Sequence, residues 1–147
     1  MMRLLLACLA VIFFTVFAHA QSTEDLIRQQ SREIRSIVTS DTDYTDLQSL
    51  ASSIGNARIV ILGEMDNGDG ETLKAKTRLV KYLHQKLGFT VLAFESDFNG
   101  VNWIWETRKN GYAALQAVTH IWTDVAEFKD MEKYIELYAH GPNPLIV

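Results

Sequence analysis

Cysteine is the first thing this chain lacks. The single one, Cys8, lies in an apolar leader, so residues 21–147 can form no disulfide and offer no thiol nucleophile or thiolate ligand. That part must be held together by its core. Basic runs are missing too. Arg3 is the leader's one Lys or Arg, so removing the leader takes the net charge from −4 to −5. Mild acidity without a Lys/Arg cluster excludes nucleic acid and an anionic membrane surface as partners. No two histidines stand at metal-ligand spacing, and there is no internal repeat and no low-complexity tract. The length suits one domain.

The leader itself has the form of a signal peptide. Arg3 supplies the positive start, residues 4–17 the apolar core and Ala18-His19-Ala20 the small-x-small cleavage pattern, which makes Gln21 the expected mature start. The apolar run is short for a membrane span. A lipoprotein box at Leu5-Leu6-Ala7-Cys8 would leave almost no apolar core ahead of the cysteine. Residues 1–20 are therefore read as a signal peptide, residues 21–147 as a single α/β domain, and the product as exported, periplasmic or extracellular, with no membrane contact after cleavage.

Two apolar runs organise that domain. Ile59-Val60-Ile61-Leu62 leads into a polar, glycine-containing turn, Gly63 to Gly70. A long amphipathic segment from Thr72 to Leu87 follows, with Leu73, Val80, Leu83 and Leu87 on one face and Leu79 beside them. Gly88 stops it, and Val91-Leu92-Ala93-Phe94 closes on Glu95. Short β-branched runs on either side of a helix predict a βαβ core, Arg58–Glu95, inside a partial three-layer α/β sandwich with a short parallel sheet and flanking helices. A right-handed crossover would put the carboxyl ends of both runs at one sheet edge, with Glu64 and Glu95 just beyond them.

Elsewhere the pattern is helical. Ser22 or Thr23 caps a stripe formed by Leu26, Ile27, Ile34, Ile37 and Val38, read as a packing helix. A short helix is expected over 46–53, another over 101–109 and a third over 112–118. A longer one follows the Asp124/Glu127 pair through Val125, Phe128, Met131, Ile135 and Tyr138, and Gly141-Pro142 ends it. Pro144-Leu145-Ile146-Val147 reads as the opening of a third strand. Such an ending points to a fragment or truncated product with an open sheet edge, through which the chain could associate with itself; a short edge strand is the plain alternative.

The glycine-containing turn does not cradle phosphate. A P-loop needs Lys and Ser/Thr after its last glycine, where Glu71 and Thr72 stand, and the acids Glu64, Asp66, Asp69 and Glu71 would repel an anion. Those acids are out of register with an EF-hand, and a solvated turn is favoured over a metal site. Glu64 and Glu95 are the more informative pair. Two carboxylates at one edge could share a proton or orient a third group, and they could equally cap the helices that follow them. His84 reads first as a boundary residue of the long helix rather than a base, and His120 and His140 as packing or helix-end residues. Trp103, Trp105 and Trp122 read as core or cleft wall.

The segment Ile61-Leu62-Gly63-Glu64-x-x-Asn67-Gly68, Lys76 and Arg78, the run Leu79 to His84, and Leu87-Gly88-Phe89-x-Val91-Leu92-Ala93-Phe94-Glu95 together resemble the N-terminal part of the erythromycin esterase family. The resemblance implies metal-independent opening of an ester or macrolide lactone by water, in an antibiotic response, with no cofactor. It implies catalytic roles for Glu64 and Glu95, and substrate contacts from Lys76, Arg78 and Asp97. The family's motif histidine falls on Asn67, whose amide has no basic nitrogen, and the family's downstream half has no counterpart here, so the implied activity is impaired. The alternatives are a non-enzymatic exported remnant that binds a ligand or partner chain through its open sheet edge, and a cation- or haem-handling relative using Glu64, Asp66 and Glu95.

Overall fold

The computed structural model describes residues 22–63, 69–108, 115–118 and 120–147. The chain divides into two compact units, Met1–Glu33 and Ile34–Val147. In the first, helix α1 spans Thr23–Gln30, with Ser22 Oγ accepting from the Asp25 N–H as N-cap. It ends earlier than the apolar stripe implies. At Ser31 both the backbone N–H and the hydroxyl turn back to the Ile27 carbonyl, which closes the helix and leaves Ile34, Ile37 and Val38 outside it. None of its residues is buried.

The second unit is built on helix α3, Gly70–Leu87. Upstream of it come a 3-10 turn, Thr45–Leu47, and helix α2, Gln48–Ile54. Downstream come α4, Phe98–Arg108, a short α5, His120–Thr123, a 3-10 turn, Ala126–Phe128, and α6, Lys129–Tyr138. The ends of α3 follow from local chemistry. Asp69 caps it by accepting from the Glu71 N–H, and Gly88 terminates it at φ 74°, a left-handed conformation that costs glycine nothing. From α3, Leu73 and Val80 enter a core with Leu115, Phe128, Met131, Ile135 and Leu145. Each such side chain contributes about 2 kcal/mol through burial. A smaller cluster joins Tyr44, Leu47 and Tyr82.

The expected α/β sandwich is not formed. The described residues are helical and contain no sheet; the one strand pairing among them is a parallel bridge between Val91 and Ile146. The runs at 59–62 and 91–94 do not pair with each other. Their exposure alternates as a strand's would, with Ile59, Ile61, Val91 and Ala93 outward and Val60, Leu62, Leu92 and Phe94 partly buried. β-Branched and apolar residues thus set an extended backbone, whereas a ladder also needs a neighbouring edge at hydrogen-bonding distance. Here Leu62, Leu92 and Phe94 pack against the core that α3 anchors, not in register with each other. Among the described residues no helix is long and apolar enough to cross a membrane.

Candidate functional site

Helix α3 has two working faces, because residues two apart point about 200° away from each other around the axis. Leu73, Thr77, Val80 and Leu83, spaced at helical intervals, form the floor of a cleft of about 720 Å³. Thr77 keeps its hydroxyl out of play by donating to the Leu73 carbonyl at 2.8 Å. Residues 58–63 and 91–95 line the walls, with Trp122, Phe128, Met131 and Leu145 contributing further apolar surface. Among the described residues, four side chains with ionisable groups line it: Arg58, Lys76, His84 and Glu95.

Lys76 and Glu95 are therefore brought to one cleft. The Lys76 ammonium lies 5.3 Å from the centroid of the Trp122 ring, a cation–π distance that holds it beside the cleft wall. Glu95 ends the second run and is exposed. Gly63, the last described residue of the first run, lines the same cleft. The expected catalytic positions Glu64 and Asn67 lie outside the described residues, as does Asp66.

Arg78, grouped with Lys76 in the sequence reading as a substrate contact, does not line the cleft and has a different task. Its guanidinium is 1% exposed and pairs with both carboxylate oxygens of Asp46, at 2.9 and 2.7 Å. It also donates to the carbonyls of Ser36 and Asp43, and stacks 5.5 Å over the Tyr44 ring. The Arg78 fork holds the Asp46 carboxyl down at about 2. Asp97 is likewise engaged elsewhere: it caps α4, accepting from the Gly100 N–H at 2.9 Å and the Asn99 N–H at 3.3 Å.

His84 was read as a boundary residue and is in fact buried at 1% exposure. Its Nδ1 shares a 2.7 Å hydrogen bond with the Tyr134 hydroxyl, and the Tyr138 ring meets it edge-on at 5.0 Å. Burial lowers the imidazole from its ordinary value against an opposing contact with the Asn143 backbone, and lifts Tyr134 to about 12. Both partners are neutral near pH 7. Neither this pair nor Arg78–Asp46 was anticipated from the sequence. The acid-rich stretch Asp41, Asp43, Asp46 was the available clue to the latter, since a buried arginine requires a carboxylate. Among the described residues no cluster of three metal-ligating side chains occurs.

The chain is 35% identical to the protein named "Putative hydrolase YbfO" of Bacillus subtilis (strain 168), over 154 aligned positions that cover 98% of this chain and 33% of that protein. It thus spans about a third of the length of the curated relative it matches. No family model matches the chain. That overturns the resemblance to the erythromycin esterase family drawn from Ile61 to Glu95: similar local spacing in two short runs and a helix does not make a family. The motif-histidine argument at Asn67 falls with it. No solved structure matches the chain.

Proposed function

We propose that this chain carries the substrate cleft, and part of the catalytic apparatus, of a hydrolase acting on small apolar esters. The observation that carries the reading is that Glu95 and Lys76 line one largely apolar cleft, with Arg58 and His84 its other ionisable side chains among the described residues; the similarity to a protein named as a hydrolase supports it. An apolar lining with a few polar groups is the usual form of a small-molecule site. The acyl chain of the substrate lies along Val80, Leu83 and Leu92, and its carbonyl faces Lys76. Glu95 accepts a proton from water as the water oxygen bonds to the carbonyl carbon. The ammonium of Lys76 stabilises the oxyanion that forms. Collapse of the tetrahedral intermediate breaks the bond to the alcohol oxygen, which leaves with the proton held by Glu95.

Purified chain assayed with p-nitrophenyl esters from acetate to octanoate tests this directly. Turnover should rise with acyl length, and Glu95→Gln should reduce kcat/KM by about 100-fold or more, the usual loss of a general base. A chain that hydrolyses none of these esters, or a Glu95→Gln variant as active as the parent, overturns the reading. The hydrolase is also proposed to act outside the cytoplasm, on the strength of the leader pattern in residues 1–20. A product in the culture medium or periplasm that begins at Gln21 would agree with this. Cytosolic product beginning at Met1 would refute it.

A further inference from the structure

We propose that Arg58 receives a carboxylate at the far end of the cleft, so that the preferred substrate is a half-ester of a medium-length dicarboxylic acid. This deepens the hydrolase reading and rests on it for the other end, where Lys76 and Glu95 stand.

The cleft has two ends because α3 runs along its floor. Lys76 lies eight positions before His84, about 12 Å along the helix axis. The second run gives a similar length independently, since extended backbone from Val91 to Glu95 advances about 13 Å. Arg58 belongs to the His84 end. It also lines a smaller neighbouring cavity with Leu87, Gly88, Phe89 and Thr90, the residues that end α3 and lead into Val91. Along the first run Val60 and Leu62 are partly buried, and Leu62 packs on the core that holds Leu73 and Val80 of the cleft floor. The same alternation places Arg58, two positions before Val60, on the cleft side. Among the described residues Arg58 makes no ion pair or hydrogen bond, whereas Arg35 and Arg78 are both tied to carboxylates.

The chemistry of this end selects the ligand. An unpaired guanidinium takes a planar carboxylate through two parallel hydrogen bonds, and a single cation matches one negative charge better than the two of a phosphate monoester. His84 adds no charge there, being buried with its Nδ1 bonded to the Tyr134 hydroxyl. Glu95 repels a second carboxylate at the opposite end, which orients the chain with its ester towards Lys76. Between the two ends Val80, Leu83 and Leu92 present apolar side chains. An extended carbon chain advances about 1.3 Å per bond, so an acid of about eight to ten carbons spans the distance.

The test uses matched esters. 4-Nitrophenyl octanoate and mono-4-nitrophenyl suberate have acyl chains of equal length and differ in ending on a methyl or a carboxylate. The ratio of their kcat/KM values should favour the suberate by about fivefold, the upper range for an ion pair at a wet rim, and should fall in high salt. The succinate half-ester is too short to reach Arg58 and should show no advantage over the butyrate. Arg58→Met should remove the suberate preference; because both esters meet the same preparation, the ratio does not depend on how much of the variant is folded. Ester turnover without a suberate preference, a preference as large for succinate, or one that survives Arg58→Met overturns the inference and leaves the hydrolase reading intact. If no ester is cleaved, calorimetric titration with monomethyl suberate and methyl octanoate decides the matter without turnover. Tighter binding of the suberate that Arg58→Met removes supports the carboxylate site, and equal binding refutes it.

Discussion

The two faces of α3 differ in how completely their polar groups are satisfied. On one face Arg78 holds Asp46 through two parallel hydrogen bonds and two backbone carbonyls through two more, and Lys81 donates to the Thr39 carbonyl at 2.9 Å. On the other face lie an apolar floor and two extended runs whose cleft-side backbone groups have no partner among the described residues. One helix thus joins a closed, strongly bonded side to an open one. Saturated contacts stabilise and leave nothing for a ligand, whereas an open edge gives up stability and keeps its bonding capacity for something else.

Substitutions on each side should widen or erase that contrast. The largest effect belongs to Arg78→Met, which leaves the Asp46 carboxylate buried without its partner and should cost about 3–5 kcal/mol in a urea melt. A loss under about 1 kcal/mol would mean that the clamp is no more than a surface ion pair. Acid probes the same contact more gently. Because the folded-state carboxyl of Asp46 is depressed from 3.8 to about 2, its contribution is fully present above pH 4 and is lost as the pH falls from 4 towards 2. That loss amounts to about 2 kcal/mol and should disappear in Asp46→Asn, measured by melting temperature against pH.

Gly88→Ala belongs to neither face. It forces a side chain into the left-handed turn that ends α3 at φ 74°, and should cost about 1 kcal/mol. Least affected is the cleft side, where Ile61→Thr and Glu95→Gln should change stability by no more than about 0.5 kcal/mol. If Ile61→Thr destabilised as much as Arg78→Met, the first run would be part of the chain's own core and the two faces would not differ in kind.

Much of α3 was legible because its determinants are local. The apolar spacing from Leu73 to Leu87 and the stop at Gly88 each act within a few residues, and the helix runs only slightly past its expected start, to the cap at Asp69. The Ile59 and Val91 runs were legible in part. Their extended conformation and alternating exposure follow from residue type, but the inference that they pair with each other did not hold. Val91 pairs instead with Ile146, a residue 55 positions away, and nothing in either run encodes that choice. Of the expected site, Lys76 and Glu95 do share a cleft, while Arg78 and Asp97 are taken up by Asp46 and by the start of α4. The resemblance implied a catalytic role for Glu95 and substrate contacts for Lys76, Arg78 and Asp97. Only the rotation of α3 and the path of the chain around it told them apart.

Residue order alone thus determined where α3 runs and where it stops, since its apolar spacing and its caps act within a turn or two. Folding in three dimensions decided which charge is buried against a carboxylate, which borders the cleft and which backbone edge stays open. Those outcomes depend on approach distances of a few ångströms between residues remote in the chain, and no local preference sets them.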